Sequence, residues 1–360
     1  MNLWDFDPRT DKQFRILDKT GKIIDEENMP EFSDEELKYL YRTMIFERTI
    51  DNRALSYQRQ GRMLTYAPNT GQEAAQIGSA YAIGKDDWLV SSFRELGAWL
   101  IKEIPLKNIY LYWYGNEWGS HTSEDIKALP VSVPISSQLQ HATGIGMANN
   151  IKGENNVVLA FVGDGGTSAG DFHEALNYAS VFKAPVIFVI QNNQYAISVP
   201  RKKQSNSRTL AQKAMAYDIP GVLVDGNDIF AMYAVTKAAV ERAKNGEGPT
   251  LIEAYTYRLG AHTTSDDPTK YRKDEEVEGW LDKDPILRFE KYLLEKKLIT
   301  EEYIEELKEE LDKEVGSTFE SIEDKSDTEI EDMFKYHYEV MPEHLEEQLN
   351  EYKSFLEGGK

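Results

Sequence analysis

The chain has 360 residues, enough for two average domains or for one large α/β domain with helical extensions, and in either case for a sizeable core. Its formal net charge of −21 repels nucleic-acid backbones and anionic membranes over most of the surface, so an anionic ligand needs a local cationic or dipolar pocket. The absence of cysteine excludes disulfides, cysteine-ligated zinc, iron–sulfur centres and thiol nucleophiles, leaving carboxylate, amide and histidine chemistry and a hard ion for any metal.

Residues 1–32 read as an extended arm with turn signals at Thr20-Gly21-Lys22. The opening MNLWDFDPRTDKQ lacks the regions of a secretory signal, and no apolar run reaches 18 residues, so a soluble, cytoplasmic protein is expected. Ser33 followed by Glu36 has the spacing of a capping box and predicts a helix start. Leu37, Leu40, Tyr41, Met44 and Ile45 then recur every three or four residues, and Gly61 is a plausible stop.

From about 135 to 260 short apolar runs alternate with helical segments. Strand runs fall at 157–162, 186–190, 222–224 and 251–255, with helical stretches over 171–182 and 228–244. Strand, helix and strand in repetition predict an α/β fold with a doubly wound parallel sheet. Residues 260–273 form a long aperiodic loop of a kind that is usually functional or mobile. Residues 283–360 read as helical and strongly charged, with acidic pairs such as Glu301-Glu302 on solvated faces. The expected organisation is an N-terminal arm and helix over 1–60, an α/β domain over 61–275 and a C-terminal helical extension over 276–360.

Gly163-Asp164-Gly165-Gly166 falls where one strand run ends, and Asn192-Asn193 where the next one ends. In a parallel sheet both would face the crevice outside the carboxyl ends of the strands. The glycines let backbone approach phosphate oxygens, and amides at a following helix start favour anions. Asp164, the Asn193 side-chain oxygen and one backbone carbonyl, with phosphate oxygens and water, would make the oxygen octahedron that Mg²⁺ demands. Either motif alone is a common turn. The pair, with 26 residues between Gly165 and Asn192, matches the thiamine diphosphate signature.

The stretch FVGDGGTSAGDFHEALNYASVFKAPVIFVIQNNQYAISVP (161–200) resembles the alpha subunits of thiamine diphosphate-dependent 2-oxo acid dehydrogenases, above all those of pyruvate dehydrogenase complexes of Gram-positive bacteria. QGRMLTYAPNTGQEAAQIGSAYAI (60–83), TLAQKAMAYDIPGVLVDGND (209–228), NGEGPTLIEAYTYRLGAHTTSDDPTKYR (245–272) and KDPILRF (283–289) resemble the same family in order, so the likeness covers nearly the whole chain. It implies that 61–275 is the diphosphate-side domain of the thiamine diphosphate-binding fold. Asp164, Asn193 and the backbone oxygen of Tyr195 match the family's Mg²⁺ ligands. Gly163, Gly165 and Gly166 line the diphosphate, Gln191 lies against it, and Arg94 matches its arginine, whose guanidinium suits bidentate phosphate contact. Phe93 departs from the family's usual tyrosine, and a hydroxyl in the site is lost. Val133 would offer backbone groups to the aminopyrimidine, and Ile135 matches the apolar wedge that bends the cofactor. His262 matches a histidine that contacts the cofactor and assists acyl transfer to lipoamide.

The resemblance further implies a beta subunit, which supplies the glutamate that activates the pyrimidine, and a heterotetramer of two alpha and two beta chains, without which this chain is inactive. The reaction implied is decarboxylation of a 2-oxo acid and reductive acylation of lipoyl groups on the acyltransferase core. Pyruvate is the expected substrate. Branched-chain 2-oxo acids stay open, because HTTSDDP has the loop length of that branch more nearly. A non-catalytic phosphate-binding scaffold is a reading of another class, disfavoured by the joint presence of Asp164, Asn193, Arg94 and His262. A self-sufficient thiamine enzyme, such as a transketolase, needs a longer chain.

Overall fold

The structure, a computed structural model, describes residues 1–323 and 329–358. Ser33 caps α1 (Asp34–Arg59) with the full reciprocal box: its hydroxyl accepts from the Glu36 amide at 3.3 Å, and the Glu36 carboxylate accepts from the Ser33 amide at 2.8 Å. The predicted stripe, Leu37, Leu40, Tyr41, Met44 and Ile45, is the buried face. Beyond it come α2 (Glu73–Tyr81), β1 (Trp88–Val90), α3 (Leu96–Ile101) and α4 (Leu106–Tyr114), none of which the sequence signalled. Residues 73–80 of α2 are all buried, and a helix wrapped on every side shows no 3.6-residue stripe.

The remaining elements are α5 (Ser137–Lys152), β2 (Val158–Gly163), α6 (Gly170–Val181), β3 (Val186–Asn192), a small hairpin of β4 (Tyr195–Ala196) and β5 (Val199–Pro200), α7 (Arg201–Gln204), β6 (Gly221–Asp225), α8 (Ile229–Lys244), β7 (Thr250–Tyr255), α9 (Asp274–Leu281), α10 (Pro285–Glu295), α11 (Glu301–Glu323), α12 (Asp332–Lys335) and α13 (Glu343–Leu356). Within the expected helical stretch 283–360, residues 324–328 and 359–360 lie outside the described residues. The loop between β7 and α9 contains only a single 3₁₀ turn, Pro268–Lys270.

Five strands form one parallel sheet in the order β1-β2-β3-β7-β6. Leu159, Phe161, Ile187 and Val189 point to the face covered by α1, α2, α8, α10 and α11. Val158, Ala160, Val162, Phe188 and Ile190 point to the face covered by α5 and α6. Burial on both faces explains the unbroken apolar runs of β2 and β3. From β2 to β3 the chain crosses over by α6 on one face; from β6 to β7 it steps in the opposite direction and crosses by α8 on the other, as a constant right-handed crossover requires. The expected doubly wound sheet is present.

The outer helices share that core. Tyr57 of α1 stacks on Phe319 of α11 with ring centroids 3.7 Å apart, flanked by the Arg53–Asp312 and Arg62–Glu323 pairs. The expected boundary at 275/276 falls inside α9. Both sheet edges are covered by the chain itself. Phe14 exchanges backbone hydrogen bonds with β6, donating to Leu223 O at 2.9 Å and accepting from the Asp225 amide at 3.0 Å. Leu89 of β1 donates to Lys127 O at 2.8 Å and accepts from the Leu129 amide at 3.0 Å. Among the described residues no helix is long and apolar enough to cross a membrane.

Candidate active site

The carboxyl ends of β1, β2, β3 and β7 open on one cavity of about 260 Å³. Each strand end delivers residues to it: Phe93 and Arg94 after β1, Gly163 to Gly166 at β2, Gln191, Asn193 and Tyr195 at β3, and Arg258 and His262 after β7. Ile135, ahead of α5, completes the lining with about half of its surface exposed. All the expected site residues except Val133 therefore line one space. Val133 stays solvent-exposed, two positions before Ile135.

Asp164 starts a 3₁₀ turn, and its carboxylate is buried with Oδ2 lacking any hydrogen-bond partner. Burial raises its pKa to about 7, against the attraction of Arg258. The turn is held from outside: Gln204 Nε2 donates to Asp164 O at 3.0 Å and Gly165 O at 2.9 Å, and Ser136 Oγ donates to Gly166 O at 2.8 Å. Close approach dictates the glycines. A Cβ on Gly165 would sit 2.7 Å from Ala196 Cβ, and one on Gly166 would sit 2.6 Å from Ser136 Oγ.

Asn193 Nδ2 donates to Gln72 Oε1 at 3.0 Å, while its Oδ1 lies 3.4 Å from the Tyr195 amide in an Asx-type turn. The Tyr195 carbonyl accepts from Arg258 Nη1 at 3.1 Å. Asn192 works behind the wall. Its Nδ2 donates to Glu253 Oε1 at 2.6 Å, and Glu253 Oε2 accepts the Leu210 and Ala211 amides, which ties the end of β3 to β7. Among the described residues no three histidines, aspartates or glutamates cluster to hold a metal. A cation here would rest on one carboxylate, one amide oxygen and one carbonyl, all hard donors, and the partnerless Asp164 oxygen fits that group.

The same cavity also holds cations. The buried Arg94 guanidinium donates to Pro68 O and, through Nη2, to His262 O at 2.6 Å, with His262 Nδ1 at 3.2 Å. Burial first, then Arg258, lowers the Arg94 pKa to about 10. Burial, Arg94 and Arg258 together lower His262 to about 4, against the pull of Asp266. His262 is thus neutral at pH 7. With a guanidinium donor at Nδ1, its proton belongs on Nε2. The rings of Phe93 and His262 stand perpendicular, 6.3 Å apart between centroids.

Gln191 lines the cavity. Its Nε2 is committed to Glu95 Oε1 at 2.6 Å and Arg94 O at 3.3 Å, and Oε1 is buried without a partner. Glu95 was not anticipated. Burial raises its pKa to about 7, and its position beside Arg94 was the available signal. Gln72 and Gln138 also line the cavity; as neutral amides they carry no mark in a sequence. Arg258, a charged residue just beyond an apolar strand run, could have been read as a strand-end site residue.

The family model of the dehydrogenase E1 component matches residues 41–331. The chain is 50% identical over 345 residues to the pyruvate dehydrogenase E1 component subunit alpha of Acholeplasma laidlawii, covering 95% of this chain and 100% of that protein. It is 42% identical over 340 residues to the proteins of the same name from Bacillus subtilis (strain 168) and Staphylococcus aureus (strain N315), covering 94% of this chain and 92% of each of them. The likeness carried by 161–200 and its flanking stretches thus extends over almost the whole sequence, and the chain belongs to the dehydrogenase E1 component family.

Proposed function

We propose that this chain is the alpha subunit of the decarboxylating component of a pyruvate dehydrogenase complex, working with thiamine diphosphate, Mg²⁺ and a beta subunit in the cytoplasm. The observation that carries the reading is the buried Asp164 carboxylate at the end of β2, whose Oδ2 has no hydrogen-bond partner, in the same cavity as the cations Arg94 and Arg258. A cation beside Asp164 and an anion beside the arginines satisfy both halves, and a metal diphosphate is one ligand that carries both. The names of the relatives support pyruvate as substrate and a beta subunit as partner.

In this reading Asp164, Asn193 Oδ1 and the Tyr195 carbonyl would hold Mg²⁺, and the backbone of Gly165 and Gly166 would line the diphosphate. Arg94 would balance diphosphate charge, and the neutral His262, which lines the cavity, would have an Nε2–H to donate. Thiamine diphosphate, when bound, supplies the electron sink for loss of carbon dioxide from a 2-oxo acid. Ile135 forms an apolar wall for the organic part of the cofactor. A beta subunit would close the open side, and a lipoyl group of an acyltransferase would take the acyl unit.

The test is co-expression with the beta subunit and an artificial-acceptor assay with Mg²⁺ and thiamine diphosphate, comparing pyruvate with 3-methyl-2-oxobutanoate. Turnover of pyruvate that is lost when either subunit is omitted is expected. A folded complex that binds the cofactor and turns over neither acid would refute the enzymatic reading, and a clear preference for the branched acid would overturn the substrate.

A further inference from the structure

We infer that Gln72 is a positioning residue for Asn193, fixing which end of that amide is available to a cation; the inference rests on the metal-diphosphate reading above. Gln72 is fully buried at the turn before α2 and lines the cavity. Its own orientation is set, because Nε2 donates to Asn69 O at 3.2 Å, which leaves Oε1 to accept from Asn193 Nδ2 at 3.0 Å. The loop that carries it is anchored in turn. Asp51 accepts the Asn69 amide at 2.7 Å, the Thr70 amide at 3.0 Å and the Tyr66 hydroxyl at 2.8 Å.

A primary amide has one donating and one accepting end, and only the oxygen can ligate a cation. With Nδ2 committed to Gln72, Oδ1 is the accepting end; it takes the Tyr195 amide at 3.4 Å and keeps a second lone pair for a cation. A flipped Asn193 would set its oxygen against Gln72 Oε1, two acceptors in a contact where a hydrogen bond now runs, and would turn N–H groups toward the cation. Gln72 thus reaches from the loop before α2 to the end of β3, 121 residues away, and selects the ligating rotamer without touching the ion. This is the role of a residue that orients a metal ligand from behind.

The experiment uses the co-purified alpha–beta complex and follows free Mn²⁺ by its paramagnetic resonance signal in the presence of thiamine diphosphate. Gln72→Met keeps the side-chain length and removes the acceptor; about a tenfold weaker Mn²⁺ affinity is expected, equivalent to roughly 1.4 kcal/mol. Gln72→Glu keeps an acceptor oxygen for Asn193 Nδ2 but loses the donor to Asn69 O, and should retain more of the affinity than Gln72→Met. Asn193→Asp has oxygen at both ends and needs no orientation, so adding Gln72→Met to it should cost nothing further. Wild-type affinity in Gln72→Met, or the same tenfold loss on top of Asn193→Asp, would overturn the inference and reduce Gln72 to loop packing. A wild-type complex that binds no Mn²⁺ at all would instead fail the metal-diphosphate reading, and this inference with it.

Discussion

The guanidinium of Arg94 and the imidazole of His262 are tied together, with Nη2 2.6 Å from the His262 carbonyl and 3.2 Å from Nδ1. Burial first, and then the neighbouring Arg94 and Arg258 cations, hold His262 near pKa 4. Removing the Arg94 charge with Arg94→Gln should therefore raise the His262 pKa, measured from its ring-proton shifts by NMR. Binding an anion between the arginines should raise it too. The same substitution removes charge-assisted contacts worth about 1.5–3 kcal/mol and should weaken diphosphate binding roughly 10- to 100-fold, measured by calorimetry.

Acid should destabilise the protein through His262. The unfolded chain takes up this proton near the ordinary value of 6.5 and the folded chain only near 4, so stability is lost as pH falls through that window. His262→Gln should remove this part of the pH slope in thermal melts and leave the rest. A variant whose melts fall as steeply as wild type between pH 6.5 and 4 would refute it.

Asp164 works in the opposite sense. Its folded pKa of about 7 lies above the ordinary 3.8, so its stability cost is absent below 3.8, grows as pH rises and is complete above 7. Asp164→Asn should stabilise the cofactor-free protein at pH 8 by on the order of 2–4 kcal/mol, seen in denaturant unfolding, and should abolish Mg²⁺-dependent thiamine diphosphate binding. Equal stability of the two proteins at pH 8 would contradict it.

Gly166→Ala places a Cβ 2.4 Å from Val162 Cγ2 and 2.6 Å from Ser136 Oγ. The turn must shift, at a cost of about 1–3 kcal/mol, and diphosphate affinity should fall further than this stability loss alone explains. Parallel unfolding and binding titrations separate the two effects.

Phe319→Ala removes the ring stacked on Tyr57, at the centre of the contact between α1 and α11. A loss of about 3–5 kcal/mol is expected, in one cooperative transition that includes the sheet, because these helices and the sheet share one core. A separate early transition confined to the C-terminal helices would show that 276–360 is an independent unit.

The sequence disclosed those parts of the molecule whose physics is local. The Ser33–Glu36 box acts within one turn, the runs of β2 and β3 are apolar because both faces are covered, and glycine or asparagine at a strand end marks where backbone must turn toward a ligand. The short elements between 61 and 135 gave no periodic signal for equally physical reasons: β1 has three residues, and residues 73–80 of α2 are all buried. Within the cavity, Asp164 and Asn193 stood out because of their neighbours in the chain. Glu95, Gln72 and Gln138 did not, since what makes them matter lies far away in sequence: Gln191 for Glu95, Asn193 for Gln72, and for Gln138 the Phe161 carbonyl, to which it donates at 2.8 Å.

The two sheet margins, one bonded to Phe14 and the other to Lys127 and Leu129, bear on how this molecule can associate. A bare parallel edge is an open template on which any extended chain can add itself, including another copy of the same protein. Here both templates are spent internally on short segments that pair over one or two residues and then turn away. Growth of the sheet from one molecule into the next is closed off in both directions. Assembly through either sheet margin would first have to displace these segments, which leaves helix faces and loops as the readier surfaces for contact.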